Sequence, residues 1–231
     1  MNCINLNQLS IPNVEQIGNF AFSNCTNITE ISFPKCIELS ERTFINCTNL
    51  KTAYLPLVNE CSGTFMGCTN LKKVDLQNAT DCRETFHGCL NLEKVSLPNC
   101  SRIAGGAFYN CVNLTSLTLN CHIIDEPWFT SSFNGVFGNC YKLKEIDFKN
   151  LSSLLENRLF VNCYNLSKLY FRGSSMIDIS LSTFDLSTMF INTPYTGYSL
   201  AFSGKPVIYV LPSLVDAYKT DSKWSVFASY F

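Results

Sequence analysis

Apolar residues recur along the chain at a fixed spacing that is neither helical nor a simple alternation. A phenylalanine is followed three residues later by a cysteine and after three more by leucine or isoleucine, as in Phe65, Cys68 and Leu71. Seven such triplets begin at Phe22, Phe44, Phe65, Phe86, Phe108, Phe137 and Phe160. The steps between these phenylalanines are 22, 21, 21, 22, 29 and 23 residues, which is the length of a leucine-rich coil apart from one insertion. The pattern predicts a repeat solenoid.

Each triplet leads into a short alternation of apolar and polar residues, as in Leu71, Val74 and Leu76. Alternation of this kind is typical of a strand with one buried face. Eight strands are predicted in this way, the first around Leu9 and Ile11 and the last around Leu169 and Phe171. Stacked at about 4.8 Å, they would form one parallel sheet roughly 35–40 Å long. The middle of each coil is interpreted as an extended piece followed by a short helical turn.

The repeats resemble the BspA-like leucine-rich repeat family, whose units read as a strand ending in Pro, an Ile-Gly-x2-Ala-Phe segment, and then x2-Cys-x2-Leu. Residues 17–22 carry that segment, residues 103–108 carry it with Ala104 in place of the glycine, and Pro12, Pro34, Pro56 and Pro98 end strands. The resemblance covers residues 3 to about 171 directly, and residues 190–219 resemble the family's closing segment. It implies a right-handed leucine-rich-repeat coil with one parallel β-sheet on the concave face and short helical turns or extended segments elsewhere.

Two parts of the chain are predicted. Residues 1–211 form a solenoid of about eight coils that starts within a repeat, which suggests a missing upstream portion, and residues 212–231 form a C-terminal capping segment. An insert near residues 121–135 lengthens one coil and carries Trp128 and Phe129. This insert is either a binding loop with an aromatic anchor or a local lid over the convex side, and the lid is favoured.

Composition narrows the class of protein. Apolar residues make up 46% of the 231, too many for disorder, and no apolar run is long enough for a membrane span. The net charge of −1 provides no global field for binding nucleic acid. The N-terminus lacks a basic region and an apolar core, so it is not a signal peptide. Either the protein stays in the cytosol or its leader is absent from this sequence.

The 13 cysteines are interpreted mainly as buried free thiols. Eight share one repeat position, and Cys36, Cys100 and Cys121 occupy a position where other coils have Val or Ala. Disulfides between neighbouring coils are disfavoured because an aligned ladder rarely gives the required dihedral angle. Zinc is disfavoured because Cys-x2-Cys pairs are missing and only two histidines are present, and no cofactor is expected. A recurrent asparagine before the strand is expected to form a stacked row that satisfies turn groups, at Asn27, Asn49, Asn70, Asn91, Asn113 and Asn165.

Catalysis finds little support in the sequence. Cys121 and His122 are adjacent, but neighbours in an extended segment point to opposite faces. Phosphate-binding loops, metalloprotease helices and nucleophile elbows are missing, so an enzyme is not expected. His87 is interpreted as a partly exposed position of no special role.

The exposed face of the sheet is the better candidate for function, since solenoids bind partners on that surface. The candidate ligand-binding surface consists of four lysines and three aromatic residues: Lys51, Lys72, Lys73, Lys94, Tyr54, Tyr170 and Trp128. Asp75 and Glu93 lie among the lysines, so the cluster is either a solvated face or a site for an acidic ligand.

Taken with the family resemblance, these features indicate a non-catalytic protein-binding or adhesion module of a cell-surface or secreted protein. The expected partner is a host or microbial surface protein, or a glycan, and neither nucleic acid nor a membrane span is expected. The alternative is an intracellular scaffold or structural spacer without a ligand of its own, which many free thiols would suit.

Overall fold

The fold is described from a computed structural model for residue 3 and residues 5–125, 135–155, 158–179 and 206–231. In these residues the regular elements are short parallel strands followed by a small helical C-terminus. The strands are β1 (Gln16–Ile17), β2 (Glu30–Ser32), β3 (Glu38–Leu39), β4 (Thr52–Tyr54), β5 (Lys73–Asp75), β6 (Lys94–Ser96), β7 (Arg102–Ala104), β8 (Ser116–Leu119), β9 (Ile123–Asp125), β10 (Glu145–Phe148), β11 (Ser153–Leu155), β12 (Lys168–Phe171) and β13 (Val207–Tyr209). The helix α1 spans Val215–Thr220, between 3₁₀ helices at Pro212–Leu214 and Trp224–Tyr230.

Seven of the eight predicted strands are present, as β2, β4, β5, β6, β8, β10 and β12. Residues 9–11 of the first coil are not in a strand. The strands pair in parallel and in the register that the repeat predicts: Thr52 lies beside Glu30 on one side and Lys73 on the other. Side chains at alternate positions therefore form continuous columns along the exposed side, which we call the sheet face.

The prediction of one continuous sheet was wrong. The strands of the sheet face form two four-stranded sheets, with the orders β2-β4-β5-β6 and β8-β10-β12-β13. A second side of the coils adds the sheets β1-β3 and β7-β9-β11. These additional strands are the extended pieces expected in the middle of each coil, and they pair because equal coil lengths bring equivalent backbone groups together.

The predicted helical turn is replaced by consecutive tight turns on the third side of the coil. Backbone φ is positive at two positions in each coil, two residues before and two residues after the repeat phenylalanine. In the coil of Phe44 these residues are Arg42, with φ of 54°, and Asn46, with φ of 59°. A right-handed helix does not accommodate residues of positive φ, so two of them four positions apart break this part of each coil into turns.

The core lies between the three sides of the coils and is built from stacked columns. The phenylalanine rings of successive coils stack with centroids 5.2–6.2 Å apart, from Phe22 to Phe160. All cysteines except Cys3 are buried, which confirms the interpretation as core thiols. Six of the eight repeat thiols also donate a hydrogen bond to the phenylalanine carbonyl of the preceding coil, as from Cys68 to Phe44 at 3.1 Å. Equivalent bonds of 3.0–3.2 Å are formed by Cys47, Cys89, Cys111, Cys140 and Cys163.

Asparagine side chains form two rows along the solenoid. The predicted row before the strand is present in part: Asn91 donates to Asn70 at 3.1 Å, and Asn113 donates to Asn91 at 3.0 Å. A second row lies immediately before the repeat cysteine, where Asn139 donates to Asn110 at 2.7 Å. Residues of this second row have positive φ, which asparagine and glycine tolerate best.

Residues after β13 pack aromatic side chains against the last described coil. Trp224 and Tyr218 are almost completely buried, and the ring of Trp224 meets that of Phe171 edge to face at 6.0 Å. The Tyr218 hydroxyl accepts the backbone N–H of Ile177 at 2.9 Å, and the indole N–H of Trp224 donates to the Ile177 carbonyl. A cap must cover the apolar end of the last coil, and these contacts are of that kind. That residues 212–231 form a separate capping segment stays a prediction.

Candidate functional site

The four predicted lysines lie together on the sheet face. Lys73 and Lys94 are direct neighbours in the parallel ladder of β5 and β6. Lys51 and Lys72 precede β4 and β5 on adjacent coils, where the amide of Lys72 donates to the carbonyl of Lys51 at 2.9 Å. All four side chains are exposed. The repeat thus brings four cations within the width of three strands, about 15 Å.

These lysines have no ion-pair partner within the part of the chain that the structure describes. Every ion pair found there includes one of five other cations: Arg42, Arg83, Arg102, Lys149 and Arg172. The nearby carboxylate of Asp75 instead accepts a hydrogen bond from Gln77 at 2.7 Å. The ammonium groups of the four lysines, which we call the lysine patch, are therefore not held in ion pairs, although the carboxylates of Asp75 and Glu93 lie among them.

A groove of about 800 Å³ lies beside this patch. One wall is the first coil at residues 7–10, and the floor is the sheet face of β2, β4 and β5. Tyr54 and Lys73 line the groove, whereas Lys51, Lys72 and Lys94 lie outside it. The structure therefore brings five of the seven predicted residues to one region, divided between a groove and its basic margin.

Tyr170 belongs to a different cluster, on the sheet of β8, β10, β12 and β13. Its ring stacks on Tyr209 at 4.7 Å, and the guanidinium of Arg172 lies 4.9 Å from the ring centre. Arg172 also donates to Asp147 at 2.8 Å. Burial opposes ionisation of Asp147, but hydrogen bonds from Arg172 and Lys149 outweigh it and lower the pKa of this carboxyl. Trp128 lies outside the described residues, and the two interpretations of its insert, as a binding loop or as a lid, stay predictions.

The cysteine and histidine side chains do not form a reactive site in the described ranges. Cys121 is buried while His122 is exposed, and burial raises the pKa of the Cys121 thiol to about 12. His87 is partly exposed as predicted, stacks on Tyr109, and has its pKa lowered by burial. Within residues 5–125 and the other described ranges, His, Cys, Asp and Glu are nowhere grouped in threes that could hold a metal ion. Helices with the length and apolar character needed to cross a bilayer are also missing there.

Sequence reasoning missed several residues of these regions. The wall formed by Asn7, Gln8 and Ser10 was not predicted, because it comes from a coil whose strand pattern does not become a strand. Tyr209 and Arg172 were also missed, although the alternation of Val207, Ile208 and Tyr209 is visible in the sequence. Two further buried thiols, Cys61 and Cys82, with sulfurs 3.6 Å apart, occupy a position where other coils have a small residue.

Comparisons with known proteins agree with the repeat architecture. The family model of the BspA type leucine rich repeat region, in six copies, matches residues 1–115 and 62–191. Among solved structures, the leucine-rich repeat protein of T. pallidum is 21% identical over 68% of this chain, with a TM-score of 0.44. This chain covers 62% of the length of that T. pallidum protein.

Two further solved structures are also of leucine-rich repeat proteins. A leucine-rich repeat protein from Bacteroides ovatus is 16% identical, with 91% of this chain and 79% of that chain covered and a TM-score of 0.46. A leucine rich cell surface protein from Faecalibacterium prausnitzii is 16% identical, with coverage of 90% and 80% and a TM-score of 0.27. No curated protein matches the chain. Because the family model covers most of the residues, this chain belongs to the BspA-type leucine-rich repeat family.

Proposed function

We propose that this chain is a non-catalytic protein-binding module of the adhesion type, which holds its ligand on the sheet face of β2, β4, β5 and β6. The observation that carries the proposal is the cluster of Lys51, Lys72, Lys73 and Lys94, exposed and without ion pairs in the described structure. In this proposal the sheet face is the concave side of a right-handed coil, as the family resemblance implies.

The partner that fits this patch is a protein with an acidic surface. Like charges on neighbouring strands repel each other, so Lys73 and Lys94 gain most when a negative surface covers them. Complementary charge accelerates encounter and fixes orientation more than it adds affinity. The exposed Tyr54 provides an aromatic anchor next to the charges, a residue type that is common in binding hot spots.

The proposed setting is a cell surface or the extracellular space, with a host or microbial surface protein as the ligand. The family resemblance supports this setting. The fold adds a physical reason, because a rigid stack of coils presents a broad and fixed surface without any need for a moving part. An intracellular spacer would need no such cluster of exposed lysines without ion pairs.

The test is binding of the labelled protein to extracellular-matrix proteins and whole host cells, compared with a variant in which Lys51, Lys72, Lys73 and Lys94 are replaced by Glu. A matched control replaces four exposed lysines elsewhere by Glu, namely Lys35, Lys144, Lys168 and Lys219. Both variants change the net charge equally, so only the location differs. Circular dichroism checks that each variant is folded.

Saturable binding that is lost in the first variant and kept in the control would establish the module and locate its face. The binding should also weaken as salt is raised, since exposed charges are screened within about 10 Å at 0.1 M salt. Equal loss in both variants would show a nonspecific charge effect and reject the site. Absence of binding to every partner would favour the spacer.

A further inference from the structure

The groove beside the lysine patch contains more acidic than basic side chains, unlike the patch itself. Its volume of about 800 Å³ is typical of a small-molecule site. It is lined by one lysine, Lys73, and two carboxylates, those of Glu30 and Asp75. The groove therefore lacks the excess positive charge of its margin, and its balance of charge disfavours an anion.

The ring of Tyr54 in the groove is open to a ligand. Its side chain is 46% exposed, and its neighbours in the column of the parallel ladder are the small side chains of Ser32 and Asp75. No other aromatic ring of the described chain stacks on it, unlike Tyr170 and Tyr209, which stack on each other at 4.7 Å. The strands on either side of Tyr54, each about 4.8 Å away, thus place no large side chain next to its ring. This leaves room for a flat ligand against the ring.

Polar residues line the groove together with this ring. The first coil contributes the amides of Asn7 and Gln8, and β2 and β4 contribute Glu30 and Thr52. Amides both donate and accept, hydroxyl groups do the same, and carboxylates accept only. An aromatic face combined with such groups matches a sugar residue, whose C–H face is apolar and whose edge carries neighbouring hydroxyls. A neutral sugar fits better than an acidic one because of the two carboxylates.

We propose that the groove between the first coil and β2, β4 and β5 binds a neutral sugar residue, which packs on Tyr54 and is hydrogen-bonded by Glu30, Asp75 and the amides of Asn7 and Gln8. This inference rests on the proposed function and deepens it. The partner is then a glycosylated protein, with its acidic surface on the lysines and a neutral glycan in the groove.

The experiment is saturation-transfer NMR on the full chain with five disaccharides: lactose, cellobiose, maltose, mannobiose and diacetylchitobiose. Sialyllactose serves as the acidic probe. The variants are Tyr54→Thr, which removes the ring, and Tyr54→Phe, which keeps it. Tyr209→Thr is the matched control, because Tyr209 is 42% exposed and lies in the same type of column at the other end of the sheet face. The Lys-to-Glu variant at 51, 72, 73 and 94 is measured as well.

The expected result is binding of at least one neutral disaccharide with a Kd of about 1 mM or tighter. Its affinity should fall at least about 10-fold in Tyr54→Thr, and it should change less than about 3-fold in Tyr54→Phe and Tyr209→Thr. The strongest transfer should come from the C–H protons of one sugar face.

Three results would overturn the inference: no transfer to any of the five neutral disaccharides, equal affinity in Tyr54→Thr, or binding of sialyllactose alone that the lysine variant abolishes. These outcomes leave the proposed function open to its own test, since protein ligands stripped of glycans are still expected to bind the lysine patch. Conversely, sugar binding that persists when no protein ligand is found would support the groove and reject the lysine patch.

Discussion

Raising the pH above 9 should destabilise this protein because its core is rich in thiols. Burial raises the pKa of a set of core cysteines, namely Cys68, Cys89, Cys111, Cys121 and Cys163. For Cys121 the pKa rises from the usual 9.0 to about 12. In the unfolded chain these thiols lose their protons near pH 9, while in the folded chain they keep them. The folded state therefore binds more protons, and the free energy of unfolding falls as pH rises.

The size of the effect follows from the number of thiols. One pH unit above its unfolded pKa, each protected thiol reduces the free energy of unfolding by about 1 kcal/mol. The five thiols together remove on the order of 5 kcal/mol at pH 10, compared with a total of about 5–15 kcal/mol for a typical domain. The stabilisation is fully present below pH 9 and is lost progressively as pH approaches the folded-state values.

Urea unfolding at pH 8 and pH 10, followed by far-ultraviolet circular dichroism in a phosphine reductant, measures this loss. The midpoint should fall steeply between the two values and recover on return to pH 8. In a Cys121→Ala variant the loss should be smaller by about 1 kcal/mol, because one titrating thiol is gone. Alanine is suitable there, since Ala79 holds the equivalent place in another coil. Equal midpoints at pH 8 and pH 10 would refute the assignment of these thiols to the core.

Three substitutions test the stacked columns and the C-terminal contacts. Cys68→Ser places a hydroxyl in the buried ladder and should reduce the free energy of unfolding by about 1–3 kcal/mol; an unchanged melting temperature would contradict the burial. Gly67→Ala should cost more than Gly88→Ala in urea unfolding: both have positive φ, but only at Gly67 would the new Cβ come against the side chain of Asn46. The reverse order would show that the turn is wrongly described. Tyr218→Phe removes the acceptor of a buried backbone N–H at Ile177 and should lower stability by about 1–3 kcal/mol, measured by thermal unfolding. A neutral effect would mean that the C-terminal segment does not pack there.

The turn side of the coils shows where sequence reasoning stopped. Glycine or asparagine at positions such as Gly67 and Asn110 hints at positive φ, but Arg42 and Glu84 adopt it as well. Nothing in a single arginine or glutamate indicates a left-handed backbone. These residues adopt it because neighbouring coils impose the same turn on every member of the stack, where inter-coil hydrogen bonds such as Phe44 N–H to the Thr64 carbonyl compensate the strain.

Part of the candidate site can likewise be predicted from the sequence, and part of it cannot. The columns that contain Lys73, Lys94 and Tyr54 follow from the sequence, because a parallel ladder in register places equal repeat positions side by side. The separation of Tyr170 from the lysines and the wall at residues 7–10 do not follow from it. They depend on which coils share a sheet and on how the first coil packs without forming a strand.

The amino-acid sequence alone predicts the repeat, the strands of the sheet face, the register of their columns and the burial of phenylalanine and cysteine. Those features arise from period and polarity, which act locally and are repeated in nearly every coil. The tertiary structure alone decided the division into four sheets, the chain of left-handed turns, the thiol-to-carbonyl ladder and the groove. Each of these depends on how neighbouring coils pack, as in the thiol-to-carbonyl bonds that join residues 24 positions apart, and its geometry is fixed only when the coils stack.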